Sequence, residues 1–272
     1  MKIGFHIENP SIFADSRFKA VEAGLKGGGV ELYRLDSRES LIEGTEMVLS
    51  LGGDGTFLNT SHLVAEAGIP ILGVNFGRMG FLSENVPEAV VEPILKGSYT
   101  IEDREMLRVC PDGPLPEGFW PYAINEAGLH RTDAGMLGIE ASIGQTALPT
   151  YWADGLMVAT GSGSTAYNLS AGGPICLPDA PVLLLTPIAP HNLGLRPLVV
   201  PSDKLITLSG SSRSGGLSLF MDNRSYSLES GTQVKITAAP FCLKKVNLGL
   251  NNFIDALRIR LFWGQDVRNM PR

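Results

Sequence analysis

The residues with the clearest chemical potential form the run Gly52-Gly53-Asp54-Gly55-Thr56, set between an apolar strand-like segment and a helical one. Glycines let a ligand come close to the backbone because no β-carbon stands in the way. The helix that follows presents unpaired N–H groups and the positive end of its dipole, which together suit phosphate oxygens. A carboxylate in that place would repel an anion if phosphate binding were its whole task. It makes sense as a base that takes the proton from a hydroxyl attacking phosphorus. The plainer alternative is a tight turn in which Asp54 caps the helix.

A second run, Gly161-Ser162-Gly163-Ser164-Thr165-Ala166, follows a strand-like segment over 155–159. Its form, G-x-G-x-x-A, is that of a dinucleotide fingerprint, with Asp179 as a formal ribose acid. Two features speak against that assignment. A helix after it can run only to about Ser170, because Gly172-Gly173-Pro174 stops it, and Asp179 precedes the next apolar strand instead of ending it. A hydroxyl-rich turn that hydrogen-bonds a nucleotide fits, and so does an ordinary Gly/Ser loop. A third set is Asn125-Glu126, after the strand-like 122–124, and Asp154, before Gly155. Carboxylates and amides at strand ends suit sugar hydroxyls or an adenine amine, although each taken singly is more often a turn or solvated residue.

These residues need two kinds of scaffold. Up to about residue 98 the chain alternates strand-like runs (2–7, 30–35, 47–51, 69–74) with helical ones (13–25, 57–67, 87–95), and Gly27-Gly28-Gly29, Gly68 and Gly97 mark the helix ends. Strand and helix in alternation predict an α/β domain with a parallel sheet. Over 99–249 the style changes to short strands at 107–110, 155–159, 182–186, 205–209, 217–221 and 233–237, with turns such as 209–212 and Ser214-Gly215-Gly216 between some of them. This predicts a β-rich, sandwich-like second domain. The tail, 250–272, returns to helix over 252–263, with Phe253, Leu257 and Leu261 on one stripe, and is expected to pack back on the first domain.

Composition narrows the function classes. The 272 residues carry 22 Lys plus Arg against 28 Asp plus Glu, a formal charge of −6. That excess of acid argues against a general nucleic-acid binder, whose affinity comes from clustered Lys and Arg. It leaves room for a small anion held by backbone N–H groups. With 44% apolar and 18% charged residues the chain reads as globular. No apolar run reaches the ~18 residues of a membrane span, and the start, MKIGFHIENP, lacks the build of a signal peptide. Cys110, Cys176 and Cys242 are far apart and include no CxxC pair, which fits a reducing cytoplasm and suggests neither disulfides nor a zinc site. The four histidines show no metal-ligand spacing. P-loop, kinase-type H-R-D and D-F-G, and G-x-S-x-G signatures are all absent from the sequence.

Taken together, LGGDGTFL (51–58), GVNFGRMGFL (73–82), INEAGLHR (124–131), ADGLMVATGSGSTAYNLSAGGPI (153–175) and PIAPHNLGLRPLVVP (187–201) resemble the NAD kinases. GGDGT alone is shared with diacylglycerol and sphingosine kinases and, in variant form, with phosphofructokinases. The run from Thr165 to Pro174, with Asn125-Glu126 and RPLV, is specific. The resemblance implies that ATP, or in some members polyphosphate, phosphorylates the 2′-hydroxyl of the adenosine ribose of NAD, giving NADP. It implies magnesium arriving with ATP and no tightly bound protein-ligated metal, no nucleic-acid or membrane partner, a homodimer or homotetramer, and a cytoplasmic location. By position in the motifs, Asp54 would be the general base, flanked by Gly53 and Gly55. Asn125 and Glu126 would bind NAD, with Glu126 suited to ribose hydroxyls, and Asp154 would contact the nicotinamide end. Ser162, Thr165, Ala166, Tyr167 and Ser170 would line the nucleotide pocket, Tyr167 by stacking.

The sequence departs from the family pattern in places. Gly161 stands where many members have proline, and Asp222-Asn223-Arg224 where many read D-G-Q or D-S-Q. Positions that often hold an arginine or histidine fall on Trp152 and Met136, so no role is carried over for Arg224, Trp152 or Met136. A lipid kinase would share the GGDGT turn but would call for an apolar channel and a basic membrane-seeking face. An NAD(P)-dependent oxidoreductase would place its fingerprint at the start of the fold, not in mid-chain.

Overall fold

Apolar runs that alternate with amphipathic helices build the first sheet. Strands β1 (Lys2–His6), β2 (Glu31–Arg34), β3 (Met47–Gly52) and β4 (Ile71–Asn75) lie in the order β2-β1-β3-β4, each neighbouring pair parallel. β3 and β4 are buried at every position, as central strands covered on both faces must be. A strand from far along the chain, Leu243–Asn247, adds parallel to β4, and β5 (Thr100–Arg104) forms the edge. The computed structural model describes residues 1–77, 79–212, 216–250 and 252–264. The turn expected at Ser214-Gly215 and the last part of the expected tail lie outside them. By compactness the chain divides into a unit of Met1–Asp103 plus the segment from Lys244 onward, and a unit of Arg104–Leu243.

Helices of the first unit start and stop where capping chemistry allows. α1 (Ser16–Gly27) does not begin at residue 13 as the periodicity suggests. A short 3-10 turn over Pro10–Ala14 ends at Asp15, whose carboxylate accepts the N–H of Arg17 at 2.8 Å and caps α1. α2 (Asp54–Val64) starts three residues earlier than its apolar spacing indicates, directly at the glycine run. The helix expected over 87–95 is a single 3-10 turn followed by α3 (Val91–Lys96), which ends at Gly97 with φ 65°. Ile3, Leu25, Leu49, Leu72, Ile94 and Val246 are among the residues of the shared core.

Among the described residues the strand pairs of the second unit are antiparallel. One sheet contains β6 (Leu107–Pro111), β7 (Tyr122–Ala123), β9 (Leu137–Ile143), β10 (Thr146–Ala147), β11 (Tyr151–Ala153), β15 (Ile206–Ser211) and β18 (Gln233–Ala238). The other contains β8 (Glu126–Arg131), β12 (Gly155–Ala159), β13 (Val182–Ile188), β14 (Leu198–Pro201), β16 (Gly216–Met221) and β17 (Arg224–Glu229), in the order β14-β13-β12-β8-β16-β17. Leu107, Ile139 and Leu208 of the first sheet and Leu129, Leu156 and Leu219 of the second belong to one hydrophobic cluster, so the sheets pack face to face as a sandwich. The helix Phe253–Leu261 closes the described chain and packs on the first unit, Phe253 lying 6.2 Å from Phe81 ring to ring. Its inward stripe is Phe253, Ala256 and Leu257, while Leu261 is 36% exposed, so the expected third position of the stripe is corrected.

Candidate active site

In the first unit everything converges on Asp54. β3 runs into the glycines, and α2 begins with Asp54 as its first helical residue and Gly53 as its cap. The cap residue therefore has no side chain to offer, and Asp54 does not cap the helix. Its carboxylate instead turns to the loop after β4. The N–H of Phe81 donates to Oδ2 at 2.7 Å, and those of Leu82 and Ser83 donate to Oδ1 at 3.0 and 2.8 Å. A carboxylate has about four lone-pair positions, so one on Oδ2 remains to accept a proton.

That loop is itself held by two buried asparagines. Asn75 donates from Nδ2 to the carbonyl of Ser83 and accepts the N–H of Gly77; Asn85 donates to the carbonyl of Gly73 and accepts the N–H of Asn75 on its own carbonyl. The Ser83 hydroxyl donates to the carbonyl of Gly53 at 3.0 Å and ties the loop to the start of α2. Among the described residues a β-carbon placed on Gly53 or Gly55 would meet nothing within 4 Å, and neither residue has a positive φ. Packing among the described residues thus does not require glycine at either position, and they leave the space beside the first turn of α2 open. The first N–H groups of a helix have no intrahelical partner, so this turn offers donors as well as room.

In the second unit the turn after β12 rests against the segment before β8. The Thr160 hydroxyl donates to the carbonyl of Ile124 at 2.6 Å, and its N–H donates to that of Asn125 at 2.9 Å. Gly163 presses on the same peptide, for a β-carbon there would lie 2.0 Å from the carbonyl oxygen of Asn125. Ser162 to Thr165 form a 3-10 turn and Tyr167–Ser170 one turn of α-helix, which stops where the glycines begin. Asn168, fully buried, organises the turn: its amide donates to the carbonyls of Ser164 and Pro174 and its oxygen accepts the Thr186 hydroxyl at 2.6 Å. Tyr167 stands 39% exposed, packed edge-on against Phe220 at 5.8 Å. Thr165 and Ala166 are half-buried and Ser170 is exposed.

Asn125 and Glu126 are positioned by Asp222, which the sequence did not single out as a site residue. Asp222 sits in the two-residue hairpin between β16 and β17 with φ 51°, the left-handed conformation such loops use. Its buried carboxylate accepts the N–H groups of Ile124, Asn125 and Glu126. Burial pushes the Asp222 carboxyl up, and these N–H bonds and the Arg224 charge oppose that shift. Glu126 is 5% exposed, and among the described residues its Oε2 is buried without a hydrogen-bond partner. Burial, together with the Asp222 carboxylate, pushes its pKa up to about 8. An unpaired buried carboxyl oxygen costs free energy unless a ligand group completes it.

Asp154 holds a different partner: its carboxylate pairs with the Arg131 guanidinium, at 2.9 Å from Nε and 3.1 Å from Nη2. Arg224 serves the fold, with Nη1 donating to the carbonyl of Trp120 and the guanidinium lying 5.1 Å above the Trp120 ring. Trp152 and Met136 are 48% and 44% exposed. Among the described residues no group of three His, Cys, Asp or Glu could hold a metal ion, and no helix is long and apolar enough to cross a membrane.

A carboxylate locked at the positive end of a helix, beside open glycines, suits phosphoryl transfer to a hydroxyl, and two family models make the protein a phosphotransferase. Residues 15–98 match the family model described as ATP-NAD kinase N-terminal domain, and residues 124–248 match ATP-NAD kinase C-terminal domain. The chain is 42% identical over 228 residues to an NAD kinase of Bacteroides fragilis, covering 82% of this chain and 78% of that one. It is 38% identical over 267 residues to an NAD kinase of Flavobacterium psychrophilum, covering 96% and 90%. Among solved structures, the NAD kinase of Archaeoglobus fulgidus in complex with ATP superposes with a TM-score of 0.75 at 26% identity, covering 97% and 98%. The yeast NADH kinase complexed with NADH shares the fold, with a TM-score of 0.84 at 22% identity over 100% and 90% of the two chains. The chain belongs to the NAD kinase family.

Proposed function

We propose that the chain transfers the terminal phosphoryl group of ATP to the 2′-hydroxyl of the adenosine ribose of NAD, producing NADP. The observation that carries this reading is the Asp54 carboxylate, oriented by three backbone donors with one lone pair on Oδ2 left over. As the 2′-oxygen attacks phosphorus its proton passes to Asp54, the bond from phosphorus to the bridging oxygen breaks, and ADP leaves. The open space at Gly53 and Gly55 suits phosphate oxygens on the N–H groups of α2. A divalent cation such as magnesium enters with ATP as part of the substrate, neutralising phosphate charge. Inorganic polyphosphate offers the same terminal group and is an alternative donor.

In the second unit, Asn125 and Glu126 take the NAD ribose. The Glu126 carboxyl, with its pKa raised to about 8, is largely protonated at neutral pH, and can both give and accept a hydrogen bond to a ribose hydroxyl. Ser162, Thr165, Ala166 and Ser170 line the nucleotide site, with Tyr167 offering a ring face for stacking. Asp154, steered by Arg131, stands for the nicotinamide end. We also infer a homodimer or homotetramer, from the family resemblance, and a cytoplasmic location, which the free thiols of Cys110, Cys176 and Cys242 suit.

Incubating the purified chain with magnesium ATP and NAD, and detecting NADP with an NADP-specific dehydrogenase, tests the reading. Sustained NADP formation is expected; ATP consumption without NADP, or no turnover at all with any polyphosphate donor, would overturn it.

A further inference from the structure

The helix Phe253–Leu261 carries a cation whose position packing alone does not explain. Its N-terminus is capped by Asn252, whose Oδ1 accepts the N–H of Asp255 at 2.9 Å. Phe253 anchors it to Phe81, and Arg260, seven residues on and two helical turns away, returns to the same face. The Arg260 guanidinium carbon lies 4.4 Å from the centre of the Phe81 ring. Phe81 is the residue whose N–H fixes Oδ2 of Asp54. One aromatic residue thus touches the base through its backbone and the arginine through its ring.

Arg260 is half-buried, and among the described residues its Nε and Nη1 are buried without a hydrogen-bond partner. A buried, unpaired cation is costly, and such groups are normally paired with an anion. The carboxylates facing it do not serve. Asp54 already accepts three N–H groups, and Glu84 is taken by the buried Lys245. Burial lowers the Arg260 pKa from its ordinary value, and the charges of Asp54 and Glu84 oppose that shift. Nε and Nη1 are therefore unspent, and Phe81 ties them to the loop that holds the Asp54 carboxylate. A guanidinium of this kind matches the oxygens of a phosphoryl group better than an ammonium does.

We propose that Arg260 is a phosphate-binding residue of the Asp54 centre, contacting the terminal phosphoryl group of the donor and stabilising the charge it carries during transfer. The inference rests on the reading given under Proposed function. The bonds made and broken are those already described; Arg260 gives hydrogen bonds to non-bridging oxygens and neither gains nor loses a proton. It explains why a helix from the far end of the chain is docked on the loop that aims the base.

Arg260→Met keeps a stem over Phe81 and removes the donors, and Arg260→Lys keeps a charge. In the NADP assay the Met variant is expected to lose ~10²–10³-fold in kcat, the scale for removing one preorganised donor to transition-state charge, with KM for NAD unchanged. The Lys variant is expected to recover part of the loss, and added guanidinium ion part of the loss in the Met variant. A Met variant within threefold of wild type in kcat, or a loss carried by KM for NAD without guanidinium rescue, would overturn the proposal. Calorimetric titration with inorganic tripolyphosphate separates this from the functional reading. Binding weakened at least tenfold in the Met variant supports an anion site even if the wild type makes no NADP, and unchanged binding counts against one. Should the Met variant fail to fold, Arg260→Gln takes its place under the same criteria.

Discussion

Asp54 and Gly80 are locked together: a β-carbon on Gly80 would lie 1.7 Å from Oδ1 of Asp54, so the carboxylate occupies the very space that a side chain at 80 would need. The N–H groups that hold the carboxylate follow at Phe81, Leu82 and Ser83. Glycine at 80 is thus a condition of the base's position. Gly80→Ala is expected to push the carboxylate out of its cradle and to lower kcat by ~10²-fold, the scale for an ångström of misplacement. NAD affinity should stay within a few-fold, because the residues assigned to NAD lie in the other unit. Steady-state kinetics with a calorimetric NAD titration check this; a fully active Ala variant would show that the loop does not set the base.

The close approach of Gly163 to the Asn125 peptide gives the second unit a comparable constraint. Asn125 cannot retreat easily, since its N–H is held by Asp222 and its carbonyl by Thr160. Gly163→Ala should therefore shift Asn125-Glu126, cost ~1–3 kcal/mol of stability as an overpacked site does, and weaken NAD binding at least tenfold. A melting curve and an NAD titration on the same sample decide it, and wild-type values in both would refute the role given to this contact.

Glu126 predicts a pH dependence whose sign can be worked out. Its pKa is about 8 in the folded chain against 4.5 ordinarily, for reasons of burial and the Asp222 charge. Between those values the folded chain holds a proton that the unfolded chain has released, so stability falls as pH rises through this window. The contribution is present in full below pH 4.5 and is lost by about pH 8. Urea unfolding at pH 5, 7 and 8.5 should show a decline on the order of a few kcal/mol, and Glu126→Gln should flatten most of it. Parallel declines in the two proteins would mean that another group titrates.

The α/β unit was legible because its central strands are short apolar runs bounded by glycine; β3 and β4 fall where those runs do. β2, at one edge, was also legible as the alternating run 30–35, but the two strands beyond β4 were not. β5 reads Thr-Ile-Glu-Asp-Arg and is largely exposed, without the apolar alternation of a half-buried strand. The strand Leu243–Asn247 carries Lys245, which looks like a surface residue but is 1% exposed and pairs with Glu84, 161 residues away. Periodicity cannot reveal a burial that depends on so distant a partner. The site followed the same division. Asp54, Asn125 and Glu126 stood out by residue type and motif, whereas Asn75, Asn85 and Asp222, which aim them, and Asn168, which holds the 162–174 turn, act through contacts that local sequence does not encode. Asp222-Asn223 did leave a trace, as a two-residue turn between alternating strands. Arg260 left none, since a basic residue in the last turn of a helix is ordinarily a response to the dipole.

Asp54→Asn is the most direct test of the base. The substitution preserves size, and its amide oxygen can still accept the N–H groups of Leu82 and Ser83. The NH₂ group would then face the N–H of Phe81, donor against donor, where Oδ2 now accepts at 2.7 Å. Losing that bond should cost ~1–3 kcal/mol of stability, a visible shift in melting temperature that leaves the chain folded. The chemical consequence should be far larger, because an amide cannot take the proton of the attacking hydroxyl. Positioned bases contribute ~10²–10⁴-fold, about 3–5 kcal/mol of barrier, so turnover should fall by that much or more. NAD binding, which needs Asn125 and Glu126 and not Asp54, should remain within a few-fold. A folded variant that binds NAD and turns over near the wild-type rate would make Asp54 an anchor for the 81–83 loop and nothing more.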